Sequence, residues 1–263
     1  MPSNQVGARY RSGVAILVLL RHGQSTMNRD NRYTGWQECD LSPLGEEESR
    51  QAGRLMTEAG LRFGVVHTSL QLRSIRTANL SLQVMDQLWV PVRRHWRLNE
   101  RHYGALEGLD KKQTAAEHGA EQVRWWRRSW DHRPPPVEWD DPRHPRFDRR
   151  YAVVPPDVLP SGECLKDVVG RVLPYWHDWI VPDLRACEPV LVAAHGNSLR
   201  ALVKHLKRIG DTEIPGLEIP TGVPWVFEIG PDLQVESDRL LGDQADIAER
   251  AEAVARQAEV PAG

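Results

Sequence analysis

Cysteine is scarce in this 263-residue chain: Cys39, Cys164 and Cys187 are odd in number and widely spaced, so no disulfide framework is expected. They read as reduced thiols, and the default compartment is the cytoplasm. Long apolar runs are missing too, and none approaches the ~20 residues that a membrane span needs. Arg9 and Arg11 precede a seven-residue apolar stretch, as at the start of a signal peptide. However, no small-residue cleavage site follows, and Arg21-His22 comes at once, so that reading is rejected. Charge of neither sign prevails. The chain has 34 Lys plus Arg against 36 Asp plus Glu, a net charge of −2, which gives no global attraction to nucleic acid or an anionic membrane. Any affinity for anions has to be local. There is no internal repeat, and no paired His or Cys at metal-ligand spacing around the histidines discussed next.

What is present begins with two strand-like runs, each ending in a histidine. Val14 to Leu20 leads into Arg21-His22-Gly23, and Pro189 to Ala194 leads into His195-Gly196-Asn197. Both runs are rich in branched residues and lack polar alternation, the pattern of strands buried on both faces in a parallel sheet covered by helices. Ligands of such sheets bind beyond the carboxyl ends of the strands. A histidine at one strand end is usually a polar residue that stops the sheet. Two of them, each followed by glycine, point instead to one site, with the glycines expected to let backbone approach a ligand closely. Arg21 beside the first suggests an anionic ligand.

With 40% hydrophobic and 27% charged residues, the composition is that of an ordinary globular protein. The length suits one large α/β domain or two small ones, and the pattern favours one domain over residues 1–263. Ser42 and Pro43 predict a helix start, with Ala52, Leu55, Met56 and Ala59 as its buried stripe and Gly60 at its end. A short strand near Val65-Val66 leads to Thr68-Ser69, read as the cap of a second helix that places Arg73 and Arg76 in its first turns. Residues 92–98 read as an edge strand that could pair with another subunit. Residues 109–159 combine a Trp- and Arg-rich helical stretch with many prolines. They have too little aliphatic content for a core of their own, and predict an insertion laid over the cleft. A helix over 165–180 bent at Pro174, a helix from about Asn197 to Ile209 stopped by Gly210, a strand over 223–229 and a mobile tail from about 237 to 263 complete the reading.

A phosphoryl-transfer site without metal needs a nucleophile that is uncharged yet basic near neutrality, and histidine meets both conditions. His22 is the candidate, with its second ring nitrogen held by a backbone carbonyl. Arg21, Arg73 and His195, with amides at the start of the helix after Gly196, are placed to stabilise the transferring group. Each charge-assisted hydrogen bond contributes on the order of 1.5–3 kcal/mol. Glu100, in the polar cluster 99–104, is the candidate proton donor and acceptor, although taken alone it is more readily explained by a surface salt bridge with Arg101.

These residues carry a resemblance. Leu20-Arg21-His22-Gly23-Gln24-Ser25, Tyr33-Thr34-Gly35-Trp36, Asn99 to Leu106, Ala194 to Arg200 and Ile219 to Pro224 together resemble the cofactor-dependent phosphoglycerate mutases of the histidine phosphatase superfamily. The match runs in one register from about residue 14 to the tail. It implies an α/β fold with a mostly parallel central sheet, helices on both faces and an insertion over the cleft. It implies interconversion of 2- and 3-phosphoglycerate through a phosphohistidine, primed by 2,3-bisphosphoglycerate, with no metal. His22 would carry the phosphoryl group, Glu100 would move the proton, His195 would stabilise the group in transit, and Arg21 and Arg73 would hold its oxygens. The implied substrate-binding set is Arg21, Ser25, Asn28, Thr34, Gly35, Arg73, Glu100, Arg101, His102, Tyr103, Lys111, Arg127, Arg128, Gly196 and Asn197. A ligand with several negative charges gives Lys111, Arg127 and Arg128 a physical reason to be there. Departures are mild: Gln24 stands where Glu is common, Tyr33 where Phe is common, Leu72 where Lys is frequent and Asp110 where Asn is common, while Cys164 follows Glu163 where Ser is usual. Ser25 favours the mutase over the relatives that specialise in making bisphosphoglycerate, which often have Gly. The same site run as a bisphosphoglycerate synthase or a phosphatase is the alternative, and a non-catalytic anion-binding protein is a more distant one. The partners implied are phosphoglycerates, with neither nucleic acid nor membrane, and the family is often a dimer or tetramer. The tail from about 237 is expected to fold over the cleft and exclude water.

Overall fold

A computed structural model describes residues 13–186 and 188–255 of the chain; Arg9, Arg11, Cys187 and the tail beyond residue 255 lie outside the described residues. Six strands form one sheet: β1 (Ala15–Arg21), β2 (Val65–Thr68), β3 (Val92–Arg94), β4 (Val190–Ala194), β5 (Pro224–Ile229) and β6 (Val235–Leu240), in the order β3-β2-β4-β1-β5-β6. The first four in that order run parallel, and β5 and β6 are antiparallel additions. The sheet is therefore mostly parallel, as the two apolar runs predict.

Successive side chains of a strand point to opposite faces, and the two central strands fill both. Leu17, Leu19, Val190 and Val192 meet α6 (Leu165–Tyr175) and α8 (Gly196–Lys207) on one side. Ile16, Val18, Leu20, Leu191 and Ala193 meet α2 (Pro43–Glu58) and α3 (Leu72–Val84) on the other. Each fully buried aliphatic side chain contributes about 1.5–3 kcal/mol, so the carboxyl ends of β1 and β4 are anchored by the densest part of the core. Two short helices, α1 (Thr26–Arg29) and, in the insertion, α4 (Lys111–His118), are followed by α5 (Ala120–Arg128), α7 (Val181–Arg185) and α9 (Gln244–Ala255). The insertion builds no aliphatic core. Its Tyr151, Val154 and Leu159 pack on Trp36 and Trp96, and Ala115 and Val123 pack on Tyr33 and Leu106.

Several boundaries differ from the sequence reading. The edge strand ends at Arg94, because Trp96–Leu98 turn as a 3-10 helix that buries Trp96 and Leu98. The helix expected after Thr68-Ser69 starts at Leu72, with Gln71 as N-cap, since the two hydroxyls are used elsewhere. Pro174 sits in the last turn of α6, and the chain continues through a π turn (Trp176–Ile180) into α7. Helix α8 stops at Lys207, with Arg208 in the left-handed region, two residues before Gly210. The tail does not begin at 237: Val235–Leu240 pairs with β5, and its alternation of half-buried and exposed residues is that of an edge strand.

Candidate active site

Sheet register brings the two histidines together. Arg21 of β1 stands opposite Ala194 of β4 in the parallel ladder, so the next residue on each strand is His22 and His195. The His22 amide donates to the Ala194 carbonyl at 3.0 Å, and the two rings meet edge to face with centroids 4.9 Å apart. Both are buried.

His22 Nδ1 lies 2.7 Å from the Gly23 carbonyl oxygen. A carbonyl only accepts, so Nδ1 carries the proton and the Nε2 lone pair is left for chemistry. Burial, then the Arg73 and Arg21 guanidiniums, hold the His22 pKa well below the usual imidazole value. The ring is therefore neutral at pH 7. His195 is pushed down in the same way by burial, Arg73 and His22. Its Nε2 is 2.7 Å from Ser69 Oγ, which itself accepts from the Gln71 amide at 3.1 Å. A proton donated by that hydroxyl to Nε2 leaves the ring's own proton on Nδ1. That Nδ1 is buried and has no partner.

Of the glycines after the histidines, Gly23 is packed against protein, whereas Gly196 lines the cleft. A Cβ on Gly23 would sit 2.1 Å from the Gly45 carbonyl oxygen at the start of α2, and one on Gly196 would meet Arg21 Cζ at 3.4 Å. The space left by Gly23 is filled by the Gly45 backbone. Gly35, at φ +54°, is packed against the buried Glu107 carboxylate, which also accepts from the Trp36 and Tyr103 amides.

Around the imidazoles lies a cleft lined by Arg21, His22, Asn28, Thr34, Gly35, Arg73, Glu100, Tyr103, Lys111, Arg127, Arg128, Gly196 and Asn197, all expected from the sequence, and by Arg32, Tyr33, Arg200, Glu218 and Ile219. Arg21 Nη1 donates to the Ile219 carbonyl at 2.7 Å, and Arg73 Nη2 to the Gly35 carbonyl at 2.9 Å. The Nε groups of both arginines are buried without a partner. An unmet buried donor costs about 1–3 kcal/mol, so these N–H groups and His195 Nδ1 suit an oxyanion. Glu100 Oε1 accepts from the Arg101 amide at 2.8 Å and the Asn197 amide at 3.1 Å, which fixes the direction of the carboxylate. Tyr103 is nominally raised by burial, but Arg101 and Arg127 outweigh this and its pKa is lowered. Burial and the neighbouring Arg127, Arg21 and Arg128 push Lys111 down to about 7. Among the described residues no three His, Cys, Asp or Glu side chains are gathered as a metal site would require.

Three residues expected to contact substrate do not reach the cleft wall. Ser25 spends its hydroxyl as the N-cap of α1, accepting from the Asn28 amide at 3.1 Å. His102 turns inward, its Nδ1 accepting from the Gly104 amide at 2.9 Å, and burial pushes its pKa down to about 3. Arg101 lies behind Tyr103 and holds the Arg127 carbonyl at 2.6 Å. Sequence reasoning also missed the supports. Gln71 holds the Glu100 amide and the Gly35 carbonyl, each at 2.8 Å. Arg171 holds the Glu100 carbonyl at 2.9 Å, while Glu163 takes the His102 amide at 2.8 Å and the Arg171 guanidinium. Arg200, one turn after Asn197, was detectable from helical spacing; its Nη1 donates to Asn197 Oδ1 at 3.2 Å. Glu218 carries no signal of spacing.

The family profile described as Histidine phosphatase superfamily (branch 1) matches residues 17–144. A protein of Nitratidesulfovibrio vulgaris (strain Hildenborough) named 2,3-bisphosphoglycerate-dependent phosphoglycerate mutase is 59% identical over 244 residues, covering 93% of this chain and 98% of that one. A protein of the same name from Thermobifida fusca is 58% identical over 219 residues, covering 83% of this chain and 89% of its own. Among solved structures, an alpha-ribazole-5'-P phosphatase of Escherichia coli, so described as putative in its own naming, aligns at a TM-score of 0.65 with 21% identity, covering 88% of this chain and 97% of that one. A mycobacterial glucosyl-3-phosphoglycerate phosphatase aligns at 0.64 with 22% identity over 86% of this chain and 97% of its own. At that identity the structures speak for the shared fold alone.

Proposed function

The chain belongs to the 2,3-bisphosphoglycerate-dependent phosphoglycerate mutases of the histidine phosphatase superfamily, and from that premise we propose that it interconverts 2- and 3-phosphoglycerate through a phosphohistidine on His22. The observation that carries the proposal is the pair of neutral imidazoles at adjacent strand ends, one with its Nδ1 proton tied to Gly23 and both surrounded by arginine N–H groups without acceptors. When bound, 2,3-bisphosphoglycerate supplies the phosphoryl group that primes the enzyme.

The chain's own groups then divide the work. His22 attacks through Nε2, with the Gly23 carbonyl holding the ring against rotation. Arg21 and Arg73 supply positive charge where oxygens accumulate negative charge. His195 enters neutral, and its unpartnered Nδ1–H becomes a donor to the group in transit. Glu100, fixed by two amides, takes the proton of the substrate hydroxyl on one half-reaction and returns it on the other. Lys111, Arg127 and Arg128, with Asn28, Thr34 and Tyr103, hold the ligand's other anionic groups. We further propose that the enzyme works in the cytoplasm as a homo-oligomer, with the edge strand β3 as the pairing element. The support is the family's habit and the exposed β3 edge.

Conversion of 3- to 2-phosphoglycerate, measured with and without 2,3-bisphosphoglycerate in the presence of a chelator, tests this reading. Activity should require the bisphosphate and survive the chelator. Radiolabelled bisphosphate should leave an acid-labile, base-stable label on the wild-type protein. The label should be absent in His22→Ala, with turnover down by at least ~10⁴-fold. Hydrolysis outrunning isomerisation would instead favour the phosphatase alternative.

A further inference from the structure

Seven cationic side chains line the cleft, against two carboxylates. Glu100 is used by the chemistry above, whereas Glu218 has no part in it. Glu218 follows the turn Ile214–Gly216, and its Oε1 forms an ion pair with Arg128 Nη1 at the end of α5. The pair joins the insertion to the segment beyond α8 across the cleft. Both side chains are less than one-fifth exposed. An entering anion meets this pair in the cleft wall.

We infer that Glu218 is a resident counter-ion, which holds Arg128 in the ligand-free cleft and is exchanged for an anionic group of the phosphoglycerate. The inference rests on the mutase reading. Its physical basis is that a carboxylate and a phosphate oxygen compete for the same guanidinium. Arg128 lies near Arg127 and Arg200, and after burial it lowers the pKa of both of those guanidiniums. The Glu218 charge offsets that repulsion and acts also on Arg21. A mutase must bind a bisphosphorylated species, present it in two orientations and release a monophosphate from one cleft. A grip set by this excess of cations alone would hold the bisphosphate too long. With Glu218 in place, Arg128 is re-paired as the ligand leaves, so the cost of release falls.

The test titrates 2,3-bisphosphoglycerate and, separately, inorganic phosphate into wild type, Glu218→Gln and Glu218→Asp by calorimetry at low and moderate salt, with kcat and KM measured in parallel. Glu218→Gln keeps the shape and removes the charge. It should bind the bisphosphate about tenfold more tightly at low salt, with the gain shrinking as salt rises, and should show a lowered KM together with a lowered kcat. Glu218→Asp should stay within about twofold of wild type. Unchanged or weaker binding by Glu218→Gln, in a protein whose wild type isomerises phosphoglycerate, overturns the counter-ion and leaves the mutase reading intact. Tighter binding of phosphate by Glu218→Gln, in a protein whose wild type does not isomerise, upholds the counter-ion and overturns the mutase reading.

Discussion

The floor and the roof of the cleft are built on different physical terms. The floor is the carboxyl edge of β1 and β4, where register alone sets His22 beside His195 and burial on both sheet faces holds them there. Its reactive groups are neutral imidazoles, and their second atoms are fixed by backbone or hydroxyl partners. The roof comes from α4 and α5, which pack through a small aromatic cluster, and from the segment carrying Glu218, whose neighbours Ile214 and Ile219 reach into the main core. Its groups are charged, and at least one is occupied by a protein carboxylate. Chemistry is thus placed on the rigid part, where small displacements are costly to rate, and ligand exchange on the part that can give. The difference predicts that substitutions below should act on kcat and substitutions above on binding.

The sharpest way to break this division is at Arg171, on α6 beneath the floor. Its Nε and Nη2 make a bidentate pair with Glu163 at 2.6 and 3.0 Å, its Nη2 reaches the Glu100 carbonyl at 2.9 Å and its Nη1 the Arg97 carbonyl at 2.6 Å. Lysine keeps the charge but cannot reproduce the planar fork. Arg171→Lys should lower kcat by about 10²-fold through misdirection of Glu100, with KM within about threefold of wild type. Chemical denaturation should show a loss of about 1–3 kcal/mol. An equal change in kcat and KM would mean that Arg171 supports the roof as much as the floor.

A smaller effect should appear at Lys111 in the roof, through pH. With its value in the free protein pushed down to about 7, roughly nine-tenths of this lysine is neutral at pH 8. A bound polyanion raises the value again, so binding at pH 8 takes up close to one proton. The sign follows: affinity is flat below pH 7, where the group is charged free and bound, and falls by up to about tenfold per unit as pH rises above 7. In the free protein the same depression costs stability as pH falls from the usual lysine range to about 7, because the unfolded chain binds the proton first. Calorimetry in buffers of different ionisation enthalpy measures the uptake. Lys111→Met should abolish it and flatten the slope, while kcat falls less than KM rises.

The floor was legible in the sequence and much of the roof was not, for the same physical reason. Val14 to Leu20 and Pro189 to Ala194 carry the mark of two-sided burial in every residue, so the strands, their parallel pairing and the position of His22 and His195 at their ends follow from composition alone. Arg127 and Arg128 were found only through the family resemblance, since a Trp- and Arg-rich helix reads by itself as a solvated face. Glu218 and Gln71 act through contacts made by loops whose paths no periodicity encodes. Ser25 and His102 show the converse. Their place in the motifs suggested ligand contact, but a helix cap and an inward hydrogen bond use their polar atoms. The edge strand β6 was missed because alternation on a half-exposed strand resembles a polar tail.

The mildest test of the comparison lies where the C-terminal helix touches the floor. Arg250 of α9 comes within 3.5 Å of Glu48 Oε1 and 3.4 Å of the Thr221 carbonyl. Glu48 Oε2 in turn accepts from the Gln24 amide at 2.6 Å, two residues after His22. Burial raises the Glu48 pKa, against the pull of the Gln24 amide and Arg250. A partly exposed pair at these distances contributes about 0.2–1 kcal/mol. Arg250→Ala should therefore lower the melting temperature by no more than about 4 °C and change kcat less than threefold. If α9 only rests on the floor, hydrolysis of the bisphosphate relative to isomerisation should rise by about twofold or less. A rise of tenfold would make the helix part of what keeps water from His22, and the rigid floor would then extend beyond the strand ends into the last described turns of the chain.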